Sequence, residues 1–331
     1  MRHRTPLPRR LGDVFRISDA ATAGVGRGRA NAGDLHRPFP GIRAVETPTA
    51  FLQRVECFAP RMRDGHRYCG VTAARVWGLP LPWHWTPSES LQITVPADAS
   101  PPRVSGVRGQ RVAADRGQTY AVGGLSTMDP VSTVALLSPR LDVEHLVMLD
   151  PIVTRSQRYP GLRMVRPFCS IDSIRSQLDA LGAFPGVRKV SEALELVRAG
   201  VDSPKETQAR IAIIDAGLPE PVVQHAVHDA GQLVATVDLA YPKLKIAIEY
   251  EGDGHRTDRD QWRIDIQRQC RLEELGWIVI RMTELDLTSG RSAFQSLLSR
   301  AFHARCPLIM GHGVMHRAGR SHEGALCIPG S

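Results

Sequence analysis

Thr236-Val237-Asp238-Leu239-Ala240-Tyr241-Pro242-Lys243-Leu244-Lys245-Ile246-Ala247-Ile248-Glu249-Tyr250-Glu251-Gly252-Asp253-Gly254-His255 reads as a β-hairpin. Valine and leucine flank Asp238, a Tyr-Pro-Lys turn follows, and a second run alternates Ile246, Ile248 and Tyr250 against Lys245, Ala247, Glu249 and Glu251. Side chains alternate across a strand with a period of two, so Glu249 and Glu251 share one face. The hairpin partner can bring Asp238 to that face. Like charges on neighbouring strands repel, and three acids meeting there are unfavourable unless a cation lies between them. Oxygen-only ligands suit a hard ion such as Mg²⁺, with Mn²⁺ as a substitute. The duller alternative is a solvated strand face, although glutamate is depleted in strands.

Working outward, the pattern around the hairpin is regular. Ser203-Pro204-Lys205-Glu206 has a serine cap, proline at the first helical position and glutamate two residues later, which predicts a helix through Ala216 ended by Gly217. A helix from about Asp258 to Leu275, ended by Gly276, precedes the apolar strand Trp277–Arg281 and a last helix over Ser292–Phe302. Helix, hairpin, helix, strand, helix predicts an α/β sandwich of roughly 100 residues. In the helix after the hairpin, Arg259, Arg263, Gln267 and Arg271 recur every four residues and make one face basic, either a solvated surface or a ridge that tracks phosphates. Trp262, Ile266 and Cys270 form an adjacent apolar stripe, expected to face the core.

The chain has 331 residues, 42% of them apolar, with a formal charge of +8. That length allows two or three domains, and no apolar run approaches the roughly 20 residues of a membrane helix. Basic residues follow Met1 without an apolar stretch behind them, which argues against a secretory signal. Six cysteines without CxxC spacing argue against a zinc ribbon or a disulfide framework and fit reduced thiols, so a cytoplasmic location is expected. The positive charge is nearly all arginine; only Lys189, Lys205, Lys243 and Lys245 are lysine. Arginine's planar fork suits phosphate, but a coding bias towards arginine gives the same composition. An anionic partner is expected, and the charge alone favours nucleic acid only modestly; a homodimer is left open.

The division expected along the chain is 1–45, a basic winged-helix-like module; 46–170, an α+β middle region; 171–200, a helical connector; 201–302, the α/β unit; and 303–331, a disordered tail. In residues 1–45 nine arginines stand against three aspartates. A short helix near Ile17–Val25 capped by Ser18, a turn at Pro38–Gly41 and a strand after it fit a winged helix; a disordered basic arm fits the composition equally. In the middle region Cys69–Gly78 reads as a helix, Leu91–Val95 as a strand, and Pro130–Leu137 as a helix capped by Asp129. Ser173–Leu181 and Val187–Val197 read as amphipathic helices.

Ser203-Pro204-Lys205-Glu206-Thr207, Ala216-Gly217-Leu218-Pro219-Glu220-Pro221, Val237-Asp238-Leu239-Ala240-Tyr241-Pro242, Ile248-Glu249-Tyr250-Glu251-Gly252-Asp253-Gly254-His255-Arg256, Asp265 and Gly276-Trp277 together resemble the very-short-patch-repair-like endonucleases. That group belongs to the restriction-endonuclease-like superfamily with the PD-(D/E)XK motif, and the resemblance covers residues 201–302. Residues 24–29 and 34–39 more loosely resemble the AbiEi-type antitoxin winged helix, which implies that the middle region, 46–170, is of antitoxin-like type. The resemblance implies a restriction-endonuclease-like α/β/α sandwich with a mixed sheet, and metal-assisted hydrolysis of phosphodiester bonds.

Its acidic motif residue falls on Asp238 and its (D/E)XK on Glu249-Tyr250-Glu251. It therefore implies Asp238 and Glu249 as ligands of Mg²⁺, with Glu251 as a third. Glu206 stands where superfamily members often add a glutamate from the preceding helix; capping its own helix is the plainer role. His255, after a glycine-rich turn, would orient the attacking water or serve the turn. Arg256, Arg259, Arg263, Arg268 and Arg271 would contact nucleic acid. The sequence departs from the motif at Glu251, where the superfamily has lysine. A second metal at Glu251, or a basic residue of the next helix such as Arg263 or Arg268, would fill that role; otherwise the domain is inactive. The expected function is thus a DNA endonuclease or nickase, against a non-catalytic DNA-binding regulator of the antitoxin type with a degenerate nuclease scaffold. A metal-dependent enzyme acting on another phosphoester, such as RNA, is a third reading.

Overall fold

The computed structural model describes residues 5–113, 116–155, 163, 165–251 and 259–305. The fold is α/β with mixed sheets, and the chain divides into two compact units, Met1–Thr207 and Gln208–Ser331.

The first unit opens with β1 (Val14–Arg16), α1 (Ile17–Thr22), α2 (Arg27–Ala30) and β2 (Ile42–Ala44), followed by α3 (Phe51–Phe58). β1 and β2 pair antiparallel, and Phe15, Ala20, Ala30 and Leu35 form a small core beneath them. Ser18 does not cap α1: Arg16 holds the cap position, and the Ser18 hydroxyl bonds Asp19 inside the helix. The chain continues through β3 (Arg67–Tyr68), α4 (Gly70–Trp77), β4 (Leu91–Val95), β5 (Val107–Arg111), β6 (Thr119–Val122), β7 (Leu125–Met128) and α5 (Pro130–Leu137). Its five strands make a mixed sheet in the order β5-β4-β3-β7-β6. Asp129 caps α5 by accepting the Ser132 N–H at 2.8 Å, as the Asp-Pro pair predicts. Short helices α6 (Val143–Leu146) and α7 (Asp150–Val153) precede the amphipathic α8 (Ile171–Leu181) and α9 (Val187–Leu196).

α10 (Pro204–Asp215) begins in the first unit and carries the chain into the second. Then come β8 (Val222–Asp229), β9 (Gln232–Tyr241), β10 (Ile246–Tyr250), α11 (Arg259–Glu274), β11 (Ile278–Met282), α12 (Glu284–Leu287) and α13 (Arg291–Arg305). The sheet order is β11-β10-β9-β8; β10 and β11 run parallel and the other pairs antiparallel. Both sheet faces are covered. On one, Leu239, Tyr241, Ile246, Ile248, Ile280 and Met282 pack with Ala209 and Ile213 of α10 and Phe294 and Leu298 of α13. On the other, Val227, Ala235, Val237 and Ala247 pack with Leu272 of α11 and Trp277. The result is three layers, helix, sheet and helix.

Local chemistry sets the ends. Gly276 has φ of 82°; its N–H bonds the Glu273 carbonyl at 2.8 Å, and the Trp277 N–H bonds that of Leu272 at 3.0 Å, a left-handed termination that favours glycine. The expected hairpin is β9 and β10, with the Tyr-Pro-Lys segment forming a short 3-10 turn over Pro242–Leu244. β8 is an addition to the expected elements. It reaches β9 through Ala230-Gly231, both at positive φ, the two-residue turn that matches strand twist. The expectation for α11's apolar stripe is overturned at Ile266 and Cys270, the two of its residues whose side chains are described. Ile266 is 38% exposed and Cys270 is exposed, while Leu272 is buried against the sheet.

Candidate active site

Asp238 lies where the ladders on both sides of β9 break. The β9–β10 register runs Tyr241–Ile246, Ala240–Ala247, Leu239–Ile248 and ends there. The Asp238 carboxylate instead accepts the Tyr250 N–H at 2.9 Å. On the other side, Val223–Leu239 and His225–Val237 pair around Gln224, whose φ of 47° is in the left-handed region. Glutamine seldom adopts that conformation, and such strain concentrates where geometry is constrained by function. Gln224 Nε2 lies 3.5 Å from Asp238 Oδ1. Val237 packs on the α11 side and Leu239 on the α13 side, although residues two apart in a regular strand share a face. The pleat therefore changes phase at Asp238.

Glu249 occupies the α11 side of β10, next to the fully buried Ala247. This face is covered, so the solvated-strand alternative does not describe Glu249, which is only 6% exposed. Arg268 of α11 donates from Nη2 to its Oε2 at 3.0 Å. The other oxygen, Oε1, is buried with no hydrogen-bond partner among the described residues. Burial drives the Glu249 carboxyl above its usual range; Arg268 pulls it down, Asp238 pushes it up, Arg281 lowers it and Asp265 raises it. Two other acids thus act on Glu249, Asp238 of β9 and Asp265 of α11.

Glu251 follows β10, its N–H bonded to the Met282 carbonyl at 2.7 Å. Its carboxylate is ion-paired with Arg281 of β11. Arg281 is also the parallel-sheet partner of Glu249, and its Nε is buried without a hydrogen-bond partner among the described residues. Neighbouring register positions therefore carry an unpaired buried acceptor and an unpaired buried donor. Among the described residues no three carboxylate, imidazole or thiol groups converge into a metal cage.

The remaining expected residues are dispersed. Glu206, in the first turn of α10 within the first unit, is buried, and its Oε2 accepts the Asp202 N–H at 3.0 Å. That bond closes the helix start. His255 and Arg256 lie outside the described residues. Arg259 opens α11 and Arg263 is exposed on it. Arg271 is engaged by Asp229 and Glu274, so its charge is already met within the unit. Arg268 turns towards Glu249. Asp265, Arg281 and Gln224 were given no role by sequence reasoning. A charged residue within the apolar run Trp277–Met282 was a signal for Arg281, because an arginine between buried neighbours needs a partner. Asp265 and Arg268, three apart on one helix face, were a weaker one.

No family model matches the chain. Two proteins of Mycobacterium tuberculosis are similar to it: uncharacterized protein MT2308 (strain CDC 1551 / Oshkosh) and uncharacterized protein Rv2248 (strain ATCC 25618 / H37Rv). Each is 26% identical over 256 residues, covering 77% of this chain and 88% of the relative. Among solved structures, that of RV2827C protein from M. tuberculosis is similar at 18% identity with a TM-score of 0.37, over 66% of this chain and 84% of the other. No helix among the described residues is long and apolar enough to cross a membrane.

Proposed function

We propose that the chain is a metal-dependent endonuclease or nickase of the very-short-patch-repair-like kind, acting on DNA, with Asp238 and Glu249 holding Mg²⁺. The observation that carries this reading is the Glu249 carboxylate: buried, raised in pKa beside two other acids, and with one oxygen that has no hydrogen-bond partner among the described residues. A buried unpaired acceptor costs about 1–3 kcal/mol, so it persists where a ligand satisfies it. Its chemistry fits a hard cation.

When bound, Mg²⁺ would lower the pKa of a water and stabilise charge on the phosphate. Asp238 is oriented by the Tyr250 N–H and the strained Gln224. Arg268 holds Glu249 in one rotamer and offsets its charge. Arg281, whose Nε has no hydrogen-bond partner among the described residues, would be the donor to a phosphate oxygen at the position facing Glu249. Arginines thus stand in for the positive group that Glu251 displaces from the motif. Glu251 contributes by tethering Arg281.

One arrangement favours a second reading, a DNA-binding regulator with a degenerate nuclease scaffold. The ion pairs Glu249–Arg268 and Glu251–Arg281 already neutralise both glutamates of the motif. The deciding experiment is nicking of supercoiled plasmid with Mg²⁺ or Mn²⁺, beside Asp238→Ala. Metal-dependent nicking lost in the variant supports the enzyme. DNA binding with no cleavage under either metal supports the regulator, and equal nicking by the variant refutes the assigned site.

A further inference from the structure

The first unit has a basic pocket that the proposed nuclease chemistry does not use. A cavity of about 480 Å³ is lined by Arg37, Arg43 and Arg54 together with Phe39, Gly41 and Gly106. Its lining contains no acidic residue. The three guanidiniums are held in different ways. Arg43 is buried and fixed by bonds to the carbonyls of Ala30 and Ile42 at 2.8 Å each and to Asn31 Oδ1 at 2.5 Å. Arg54 of α3 lies 5.0 Å from the centre of the Phe39 ring, and its Nε is buried with no hydrogen-bond partner among the described residues. Arg37 is exposed, with one long bond to the Asn31 carbonyl at 3.3 Å.

Three cations converging without an anion repel one another. Burial lowers the pKa of Arg43, and the charge of Arg37 lowers it further. The glycines let guanidiniums pack against the backbone: a Cβ at Gly106, whose φ is 77°, would meet the Arg54 Nη2 at 2.7 Å, and one at Gly41, whose φ is 78°, would meet the Arg61 Nη1 at 3.3 Å. The forks of Arg37 and Arg54, with the fixed charge of Arg43 behind them, make a receptor for a tetrahedral oxyanion.

We propose that this pocket binds a phosphate group, with Arg54 and Arg37 donating to its oxygens and Arg43 supplying fixed positive charge. The group comes either from a small phosphate compound or from a DNA backbone, and binding separates the two.

The test measures binding of inorganic pyrophosphate, ATP and a short duplex DNA to the full chain in EDTA, which keeps cleavage out of the readout. Arg37→Gln and Arg54→Gln are compared with Arg300→Gln, an equal charge change at an exposed arginine of the second unit. Thermal unfolding checks that each variant is folded, and the exposed Arg37 provides a variant that leaves the core untouched. Loss of one guanidinium–phosphate contact lowers affinity roughly tenfold. If pyrophosphate or ATP binds and both pocket variants weaken it, the pocket takes a small phosphate. If only duplex binds, each pocket variant should reduce the slope of log affinity against log salt by about 0.9, with a smaller change for the control. The proposal is overturned if none of the three ligands binds, or if Arg300→Gln weakens binding as much as the pocket variants. Cleavage plays no part in these outcomes, so they stand apart from the nuclease assignment.

Discussion

Replacing Glu249 by Gln should stabilise the protein at neutral pH while removing its proposed function. In the wild type one oxygen is bonded to Arg268 at 3.0 Å and the other is buried with no partner among the described residues. An unpaired buried acceptor costs about 1–3 kcal/mol. Glutamine keeps the shape, its carbonyl still accepts from Arg268, and its uncharged amide removes the repulsion from Asp238 and Asp265. The loss is a charge-assisted bond exchanged for a neutral one, about 1 kcal/mol. The net gain is about 1 kcal/mol, a rise of about 4 °C for a unit of this size. Its pH dependence follows from the raised carboxyl. A group whose folded pKa lies above its unfolded value contributes fully below the unfolded pKa, and that contribution is lost as pH rises through the folded pKa. The variant's advantage should therefore be largest at pH 7–8 and vanish near pH 4, where Glu249 is protonated and nearly isosteric with Gln. Calorimetric unfolding of both proteins across that range, in EDTA, measures it. A variant less stable than wild type at pH 7.5, or an advantage unchanged between pH 8 and 4, would refute the assignment of Glu249 as a strained, buried carboxylate.

Arg268→Ala should destabilise by about 1 kcal/mol at pH 7.5, the low end for a charged hydrogen bond because Arg268 is a third exposed, and by less at pH 4; urea unfolding at the two pH values reads the difference. Gln224→Gly should be neutral or stabilising by about 0.5 kcal/mol, since relief of a left-handed φ offsets glycine's entropy; a loss above about 1 kcal/mol would mean that Gln224 is unstrained. Tyr241→Phe removes the bond from Oη to the Pro219 carbonyl at 2.5 Å and should cost about 1 kcal/mol by thermal unfolding, with the packing against Phe302 retained. Mg²⁺ binding should release protons in the pH range where Glu249 is partly protonated, so titration calorimetry in buffers of different ionisation enthalpy should give different apparent heats for wild type, and little or no binding heat for Glu249→Gln, which lacks that ligand.

The layers of the second unit were legible because β9 and β10 are apolar on the side that meets α10 and α13, and because glycines at 217 and 276 punctuate the helices. β8 was not. Of its eight residues only Val227 is buried, so an edge strand left half in water carries little hydrophobic period. α11 misled for the opposite reason. The residues it turns to the sheet include Arg268 and Asp265, since they cover carboxylates, while Ile264 and Ile266 are left exposed. Periodicity assigns the apolar stripe to the core, and that inference fails where the buried surface is itself polar. Asp238 and Glu249 were legible as a pair. Their third neighbour was sought two residues along β10, but Arg281 holds Glu251, and Asp265 arrives from a helix whose rotation the sequence did not fix.

The charges at the site bear on the missing lysine. Arg268 pairs with Glu249 and Arg281 with Glu251, while Asp238 and Asp265 both push the Glu249 carboxyl up. Protonation relieves that pressure, as the upward shift of Glu249 shows. Under the proposed function a divalent cation would relieve it as well. A lysine at position 251 would reverse the charge there and take away the carboxylate that Arg281 pairs with. Glu251 instead anchors Arg281 beside Glu249, at the neighbouring register position of β11. In the proposed enzyme, the positive group that the motif lysine supplies would therefore come from arginine.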